Sequence, residues 1–179
     1  MNMFKLDDID IVPPKKDDVF EMRNMHGRVW RETYENEKKG ITKEWLKERT
    51  EGWLTDDSLR VSNERFDRIS GDPRHFERVA KVGNAIVGIV HGSKLDNVQH
   101  LEAIYVDTPY HGKGVAKRLM DELMSWFDVK NPVTLEVVEY NDRAQAFYRK
   151  YGFSTVEGSE HLFANKVPVI DMKKDGEEI

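Results

Sequence analysis

Between residues 111 and 117 the chain reads His-Gly-Lys-Gly-Val-Ala-Lys, two glycines one residue apart, followed by a run whose apolar positions recur every three to four residues. Glycine lets bare backbone approach a partner closely, and the first N–H groups of a helix, at the positive end of its dipole, have no intrahelical acceptor. Together these features make a cradle for an anion, above all a phosphate. Two other phosphate motifs do not fit. A nucleoside-triphosphate loop needs four residues between its glycines and then Lys-Ser/Thr, and a dinucleotide fingerprint needs Gly or Ala where Lys117 stands. Taken alone, the stretch is equally compatible with a solvent-exposed glycine turn before a basic helix.

Other chemistry is excluded by composition. The 179 residues contain no cysteine, so thiolate nucleophiles, disulfides and Cys-based zinc sites are absent. The six histidines are scattered without ligand-like pairing, and no metal is expected. A formal net charge of −5 argues against a nucleic-acid partner, which calls for a clustered basic surface. The opening MNMFKLDDIDIVPPKKDD is charged where a signal peptide needs an apolar run, and no stretch approaches a membrane span. A cytoplasmic protein without a membrane partner is expected.

The elements that must position the cradle follow from periodicity. IDIV before Pro13-Pro14 reads as a short strand, and Asp17-Asp18 as the cap of a helix carrying Val19, Met22, Met25, Val29 and Trp30. Gly40 interrupts, Thr42 starts a second helix through Trp45 and Leu46, and Thr55 starts a third running to Phe66 and Ile69. From His75 the pattern alternates: FERVAKV, AIVGIVHGSKL after Gly83-Asn84, and VQHLEAIYV after Asp96-Asn97 predict an antiparallel meander. After the glycines, Val115, Leu119, Leu123 and Trp126 form an apolar helix stripe, with Ala116, Met120 and Phe127 beside it. VTLEVVEY is a further strand, and Asn141 caps a short helix bearing Ala144, Phe147, Tyr148 and Tyr151, closed by Gly152. FSTVEG and HLFANKVPVIDMKK read as a closing strand pair, with Pro168 demanding an edge or a bulge. One domain over 1–179 is expected: a helical part to about residue 72, then a mixed sheet whose core spans about 75–160.

VDTPYHGKGVAKRLM after the strand LEAIYV, with VTLEVVEYNDRAQAFYRKYGF downstream, resembles the GNAT superfamily of N-acetyltransferases. The first segment is similar to the signature Gln/Arg-x-x-Gly-x-Gly/Ala, which cradles the pyrophosphate of acetyl-coenzyme A. The second is similar to the family's Asn-x-x-Ala-x-x-x-Tyr-x-x-x-Gly-Phe segment. WRETYENEKKGITKEWL resembles the opening helices of many bacterial members. The chain departs at the first signature position, where His111 stands in place of Gln or Arg. The resemblance implies an α/β fold (α+β) with a central mixed, mostly antiparallel sheet flanked by helices. It also implies acetyl-coenzyme A as co-substrate, an amine as acceptor, and a homodimer as in many members.

Acetyl transfer to an amine needs an anchored cofactor, a base for the amine, a donor for the developing oxyanion and an acid for the departing thiolate. The resemblance assigns anchoring to His111, Gly112, Lys113, Gly114, Val115, Ala116 and Lys117, and to the main chain of Ile104, Tyr105 and Val106 along a splayed strand. It makes the Val106 N–H the oxyanion donor, Asn141 a cofactor contact and Tyr148 the general acid, a role suited to a phenol whose ordinary pKa is about 10. Three residues compete as base. Glu102 shares the strand leading to the cradle, and alternation places it with His100, Ile104 and Val106 unless a bulge intervenes. Glu136 stands five residues before Asn141, the spacing of the base in the branch acetylating a ribosomal-protein N-terminus. His100 occupies the position of the base glutamate in the histone-acetylating branch.

For the acceptor, Trp30, Tyr34, Trp45 and Trp53 near Glu32, Glu35, Glu37 and Glu44 suggest a pocket for a cationic amine, as against ordinary core anchors with solvated faces. The primary reading is therefore direct transfer to a primary amine of a small molecule, a polyamine being one case. The alternatives are a peptide or protein N-terminal amine and, in another class, a coenzyme A-binding sensor without turnover.

Overall fold

The computed structural model describes residues 9–95 and 98–177; the turn expected at Asp96-Asn97 lies outside them. In chain order the elements are β1 (Asp10–Val12), α1 (Val19–Thr33), α2 (Lys43–Glu51), α3 (Asp56–Ile69), β2 (His75–Val82), β3 (Ala85–Leu95) and β4 (Val98–Val106). There follow α4 (Val115–Trp126), β5 (Val133–Val138), α5 (Asp142–Arg149), β6 (Ser154–Thr155), β7 (His161–Phe163) and β8 (Val167–Lys174). They form one eight-stranded sheet in the order β1-β2-β3-β4-β5-β8-β6, with β7 also on β8. Every pairing is antiparallel except β4 with β5. This is the mixed sheet that the sequence predicts. None of the helices among the described residues is long and apolar enough to cross a membrane.

Helix starts follow side-chain chemistry. Thr42 accepts from the Trp45 N–H (3.2 Å), Thr55 from that of Ser58 (3.4 Å) and Asn141 from that of Ala144 (3.2 Å), so each occupies a donor the helix leaves unpaired. Asp18 departs from expectation. Its carboxylate accepts from the Lys15 backbone (2.8 Å) and Lys81 Nζ (2.7 Å), closing a one-turn 3-10 lead-in and making no cap bond to α1.

The sheet is covered on both faces. On one, α4 buries Leu119, Met120 and Leu123, each 0% exposed, against Val87, Val90 and Leu101. Burial of such a side chain stabilises by roughly 1.5–3 kcal/mol. Gly92 permits the close approach, since a Cβ there would stand 2.5 Å from Leu123 Cδ1 and 3.1 Å from Phe127 Cζ. On the other face, α1 and α2 bury Met25, Val29, Trp30 and Leu46 against strand residues including Ile89, Val138 and Val169.

Two irregularities shape the site. In the β3–β4 ladder, Ala103 faces His91 and Leu101 faces Gly92, so Glu102 has no opposite residue. It is a β-bulge, and it breaks the alternation predicted for this strand. Ile104 and Val106 consequently share the α4 face with Leu101, while Tyr105 joins the α1 face. The second irregularity is that β4 and β5 pair only over Gln99–Leu101 with Val133–Leu135, after which they part.

The C-terminal prediction needs correction. HLFANKVPVIDMKK is a hairpin, β7 and β8 joined through Ala164 and Asn165 at φ of 52° and 55°, and β8 lies inside the sheet against β5. Pro168 is tolerated because it pairs one position beyond the end of β5. Its carbonyl accepts from the Glu139 N–H (3.0 Å), and the side from which its own N–H is missing faces a strand that has already ended.

Candidate active site

A cleft of about 830 Å³ opens where β4 and β5 part, reaching from the start of α4 and from α5 to the inner faces of α1 and α2. Its backbone wall is set by ladder parity. The Asp107 N–H bonds the Val87 carbonyl (2.9 Å), so alternate peptides of β4 point to β3, while those of Ile104 and Val106 point to the vacated edge. This parity puts the Val106 N–H, the expected oxyanion donor, on the cleft side.

His111, Gly112, Gly114, Val115, Ala116 and Lys117 all line the cleft, whereas Lys113 turns over the Tyr110 ring (5.5 Å) outside it. Gly112 and Gly114 take φ of 72° and 80°, left-handed values that favour glycine, and a Cβ on Gly112 would meet nothing within 4 Å. The first α4 backbone bond runs from the Arg118 N–H to the Gly114 carbonyl, so the N–H groups of Val115, Ala116 and Lys117 have no acceptor within the helix, and no side chain caps it. Open space, left-handed glycines and three outward N–H groups suit a pyrophosphate.

His111 has a geometric role that the sequence did not disclose. Its Nδ1 receives Arg143 Nη1 (2.7 Å), which leaves the ring proton on Nε2 to be donated to the Val106 carbonyl (2.7 Å). The imidazole therefore straps the end of β4 to α5. Asn141 lines the opposite wall with its Oδ1 engaged in capping, which leaves its amide N–H₂ for a ligand.

Tyr148 lines the cleft, 8% exposed, with its ring among Phe147 and Phe153. Burial, with Tyr105 beside it, pushes its hydroxyl well above the ordinary phenol value, so it holds its proton at neutral pH. Tyr105 lies against the α1 wall and accepts from Trp30 Nε1 (3.2 Å).

Of the base candidates, Glu102 and Glu136 line the cleft, and His100 is not among its lining residues. His100 Nδ1 instead meets Thr134 Oγ1 (2.7 Å). Glu102 accepts from Ser93 Oγ (2.6 Å). Glu136 pairs with His161 Nε2 (3.3 Å), where His161 is held above its usual pKa by the Ser159 carbonyl and by Glu136 itself. Each glutamate follows the last paired row of its strand, Leu101 with Leu135, so the two flank the split. The histidines are less scattered than the sequence suggested: His75 and His91 stack (5.6 Å), and His161 joins Glu136 and Asp171.

The acceptor wall differs from expectation. Trp30, Tyr34 and Trp53 line the cleft, but Trp45 and the four glutamates do not. Glu32 accepts from Thr108 Oγ1, and Glu35 pairs with Lys43 (3.6 Å). Neighbouring Arg28 grips Asp107 through two bonds of 3.1 and 2.9 Å, so this side of α1 fastens the end of β4. The lining adds Arg23, His26, Arg49, Arg143 and Phe163, which sequence reading had missed. A signal existed for two of them: Arg23 and His26 stand seven and four residues before Trp30, on the face that α1 turns inward.

The family described as Acetyltransferase (GNAT) matches residues 28–153. The chain is 36% identical over 95 residues to the N-alpha-acetyltransferase RimI of Mycobacterium tuberculosis, covering 51% of this chain and 60% of that protein. It is 33% identical over 69 residues to the peptidyl-lysine N-acetyltransferase YjaB of Escherichia coli, covering 38% and 45%. The chain thus spans less than two thirds of the length of these curated relatives. Its fold is similar to that of the PaiA N-acetyltransferase of Thermoplasma acidophilum in complex with coenzyme A, at TM-score 0.73 and 18% identity over 93% of this chain and 98% of that one. It is also similar to the ribosomal-protein-S18-alanine N-acetyltransferase of Escherichia coli, at TM-score 0.63 and 15% identity over 96% of each.

Proposed function

Because the chain belongs to the GNAT acetyltransferase family, we propose that it carries an acetyl group from acetyl-coenzyme A directly to a primary amine within one ternary complex. The observation that carries this reading is the parting of β4 from β5 beside a glycine-rich helix start. It leaves backbone donors along one wall and a protonated tyrosine, Tyr148, on the other.

The co-substrate supplies an activated acyl thioester when bound; the remaining steps belong to the protein. The N–H groups of Val115, Ala116 and Lys117 hold the pyrophosphate, with Gly112 keeping the approach clear and left-handed Gly114 turning the chain into α4. Ile104 and Tyr105 border the pantetheine path. The Val106 N–H donates to the carbonyl oxygen as it gains charge, a fixed dipole that needs no reorganisation. Glu102 or Glu136, flanking the split, takes a proton from the acceptor's ammonium so that the free amine attacks the thioester carbonyl, and as the C–S bond breaks Tyr148 gives its proton to the departing sulfur. The His111 bridge keeps β4 and α5 at working separation. With no cysteine, an acetyl-cysteine intermediate is excluded, in keeping with direct attack of the amine on the thioester.

The acceptor is an amine of a small molecule or the N-terminal amine of a peptide, and the RimI and S18-alanine enzymes in the comparisons bear names of the second kind. The test is release of free thiol from acetyl-coenzyme A against polyamines, amino acids and short peptides, with calorimetric binding of acetyl-coenzyme A alongside. Release with one acceptor class is expected. Tight binding without release on any amine would favour a sensor, and absence of binding would refute the cradle.

A further inference from the structure

The wall formed by α1 and α2 is cationic where the sequence suggested carboxylates. Building on the acetyltransferase reading, we infer that the acceptor is an amino-acid-like amine, carrying a carboxylate that a guanidinium of the α1–α2 wall, Arg23 or Arg49, receives at an end of an aromatic floor, while Glu102 and Glu136 face its amine.

The first support is a set of unmet hydrogen bonds. Among the described residues, three buried side-chain nitrogens have no partner: Arg23 Nε, His26 Nε2 and Arg49 Nε. All three belong to residues lining this one cleft. A buried donor left unpaired costs about 1–3 kcal/mol, so such groups ordinarily have a partner. Their concentration here points to a ligand that supplies acceptors.

The second support is charge. Arg28, Arg65 and Arg78 are each paired with a carboxylate, at 2.9, 3.1 and 3.2 Å. Arg23 and Arg49 instead lie against aromatic rings, Arg23 at 5.1 Å from the Trp53 ring and Arg49 at 5.8 Å from that of Phe163. Trp53 and Phe163 both contact Trp30, at 5.2 and 5.6 Å, so one aromatic floor runs from the first guanidinium to the second. Burial, and then Arg65, disfavour the charge on Arg23, a strain that an anion would relieve. A guanidinium fork matches a carboxylate in a way that the point charge of an ammonium cannot.

The third support is placement. The phosphate cradle lies at the start of α4, with Lys117 on it and Arg143 of α5 beside its His111, so the cofactor's phosphates have cations and N–H groups without calling on α1 or α2. Glu102 and Glu136 sit at the split, where the amine must arrive. Carboxylates for an ammonium, guanidiniums for a carboxylate and an apolar floor joining the two guanidiniums together complement a zwitterion with an apolar body. A polyamine would bring positive charge against Arg23 and Arg49. The carboxylate can be the α-carboxylate of a free amino acid or an acidic side chain near the start of a peptide, and the assay separates the two.

The experiment compares, on the full chain at saturating acetyl-coenzyme A, an aromatic amino acid, its carboxamide, a peptide with an acidic second residue and spermidine. The acid is expected to exceed its carboxamide about tenfold or more in kcat/KM, in keeping with loss of a charge-assisted bidentate bond. Arg23→Gln with Arg49→Gln should collapse that ratio to within about twofold, with calorimetric affinity for acetyl-coenzyme A unchanged. Should the double variant fail to fold, Arg49→Lys, which keeps the charge and loses the fork, is read by the same ratio. If the acidic peptide alone outperforms its amidated form, the inference holds for a peptide acceptor. Preference for spermidine or for the carboxamide overturns it, as does an equal loss on all acceptors. Binding of the N-acetylated acid against its carboxamide to the coenzyme A-bound protein, read by tryptophan fluorescence, gives a second measure. If no amine releases thiol the transferase reading fails, and this binding ratio still decides the inference.

Discussion

Replacing Tyr148 by phenylalanine removes one oxygen from a side chain that is 8% exposed and leaves its packing on Phe147 and Phe153 intact. Stability should therefore change little, and any loss of rate reports on the hydroxyl. A positioned general acid contributes typically 10²–10⁴-fold, and a thiolate, whose conjugate acid has a pKa of about 8.5, needs assistance less than an alkoxide does. The expectation is thus at or below the low end of that range, a fall in kcat of about 10- to 100-fold, equivalent to about 1.4–2.7 kcal/mol of barrier. Binding of acetyl-coenzyme A should stay within about twofold, because the cradle is backbone. The pH profile adds a sign. Burial raises the Tyr148 pKa, the active form is protonated, and this residue should impose no fall in rate as pH rises through the ordinary phenol value. The assay is thiol release under saturating substrates with calorimetry in parallel. A fall in kcat under about threefold would refute the acid role, and a parallel loss of cofactor affinity would recast Tyr148 as a binding residue.

Glu102→Gln and Glu136→Gln should separate the two base candidates: the true base loses about 10²-fold or more in kcat below the amine's own pKa and recovers as pH rises, while the other changes kcat by a few-fold at most. His111→Ala breaks the strap between Val106 and Arg143 and should raise KM for acetyl-coenzyme A several-fold, measurable by initial rates, with the melting temperature nearly unchanged since the ring is partly exposed. Gly92→Ala forces a methyl against Leu123 and Phe127; overpacking of this kind costs about 1–3 kcal/mol, and scanning calorimetry should show a loss of roughly 2–4 °C per kcal/mol. Burial, then Arg65 and His75, lower the His91 pKa to about 3, so below about pH 6.5 the unfolded chain takes up a proton that the folded chain refuses. Stability is full above that pH and is lost as pH falls toward 3, by up to about 1.4 kcal/mol per pH unit, and His91→Gln should flatten that slope in urea unfolding between pH 7 and 5.

What the sequence disclosed and what it hid divide along a physical line. Capping at Thr42, Thr55 and Asn141, the left-handed Gly40 and Gly152, and the apolar stripe of α4 are local, governed by residues within a turn of each other, and all are present. Features that depend on pairing between distant segments were less legible. The bulge at Glu102 arises because β3 and β4 differ by one residue between His91 and Gly92, and nothing in VQHLEAIYV states this; yet it decides that Ile104 and Val106 share the face of Leu101. The hairpin inside HLFANKVPVIDMKK was likewise hidden, because a turn at Ala164-Asn165 lacks glycine.

The same division explains the acceptor wall. Carboxylates near aromatic residues in sequence suggested a cationic substrate, but proximity along a helix says nothing about which face turns inward. Glu32 faces the loop after β4 and is used to fasten it, whereas Arg23 and His26, spaced to fall on the Trp30 face, turn into the cleft. An arginine on the inward face of an amphipathic helix is costly unless something pairs with it, and here the protein itself offers aromatic rings. The half of this cleft proposed for the cofactor is built from backbone, which any sequence with the right glycines can supply. The half proposed for the acceptor is lined by side chains whose buried nitrogens lack a partner, and on that proposal specificity is to be sought on α1 and α2, not at the cradle.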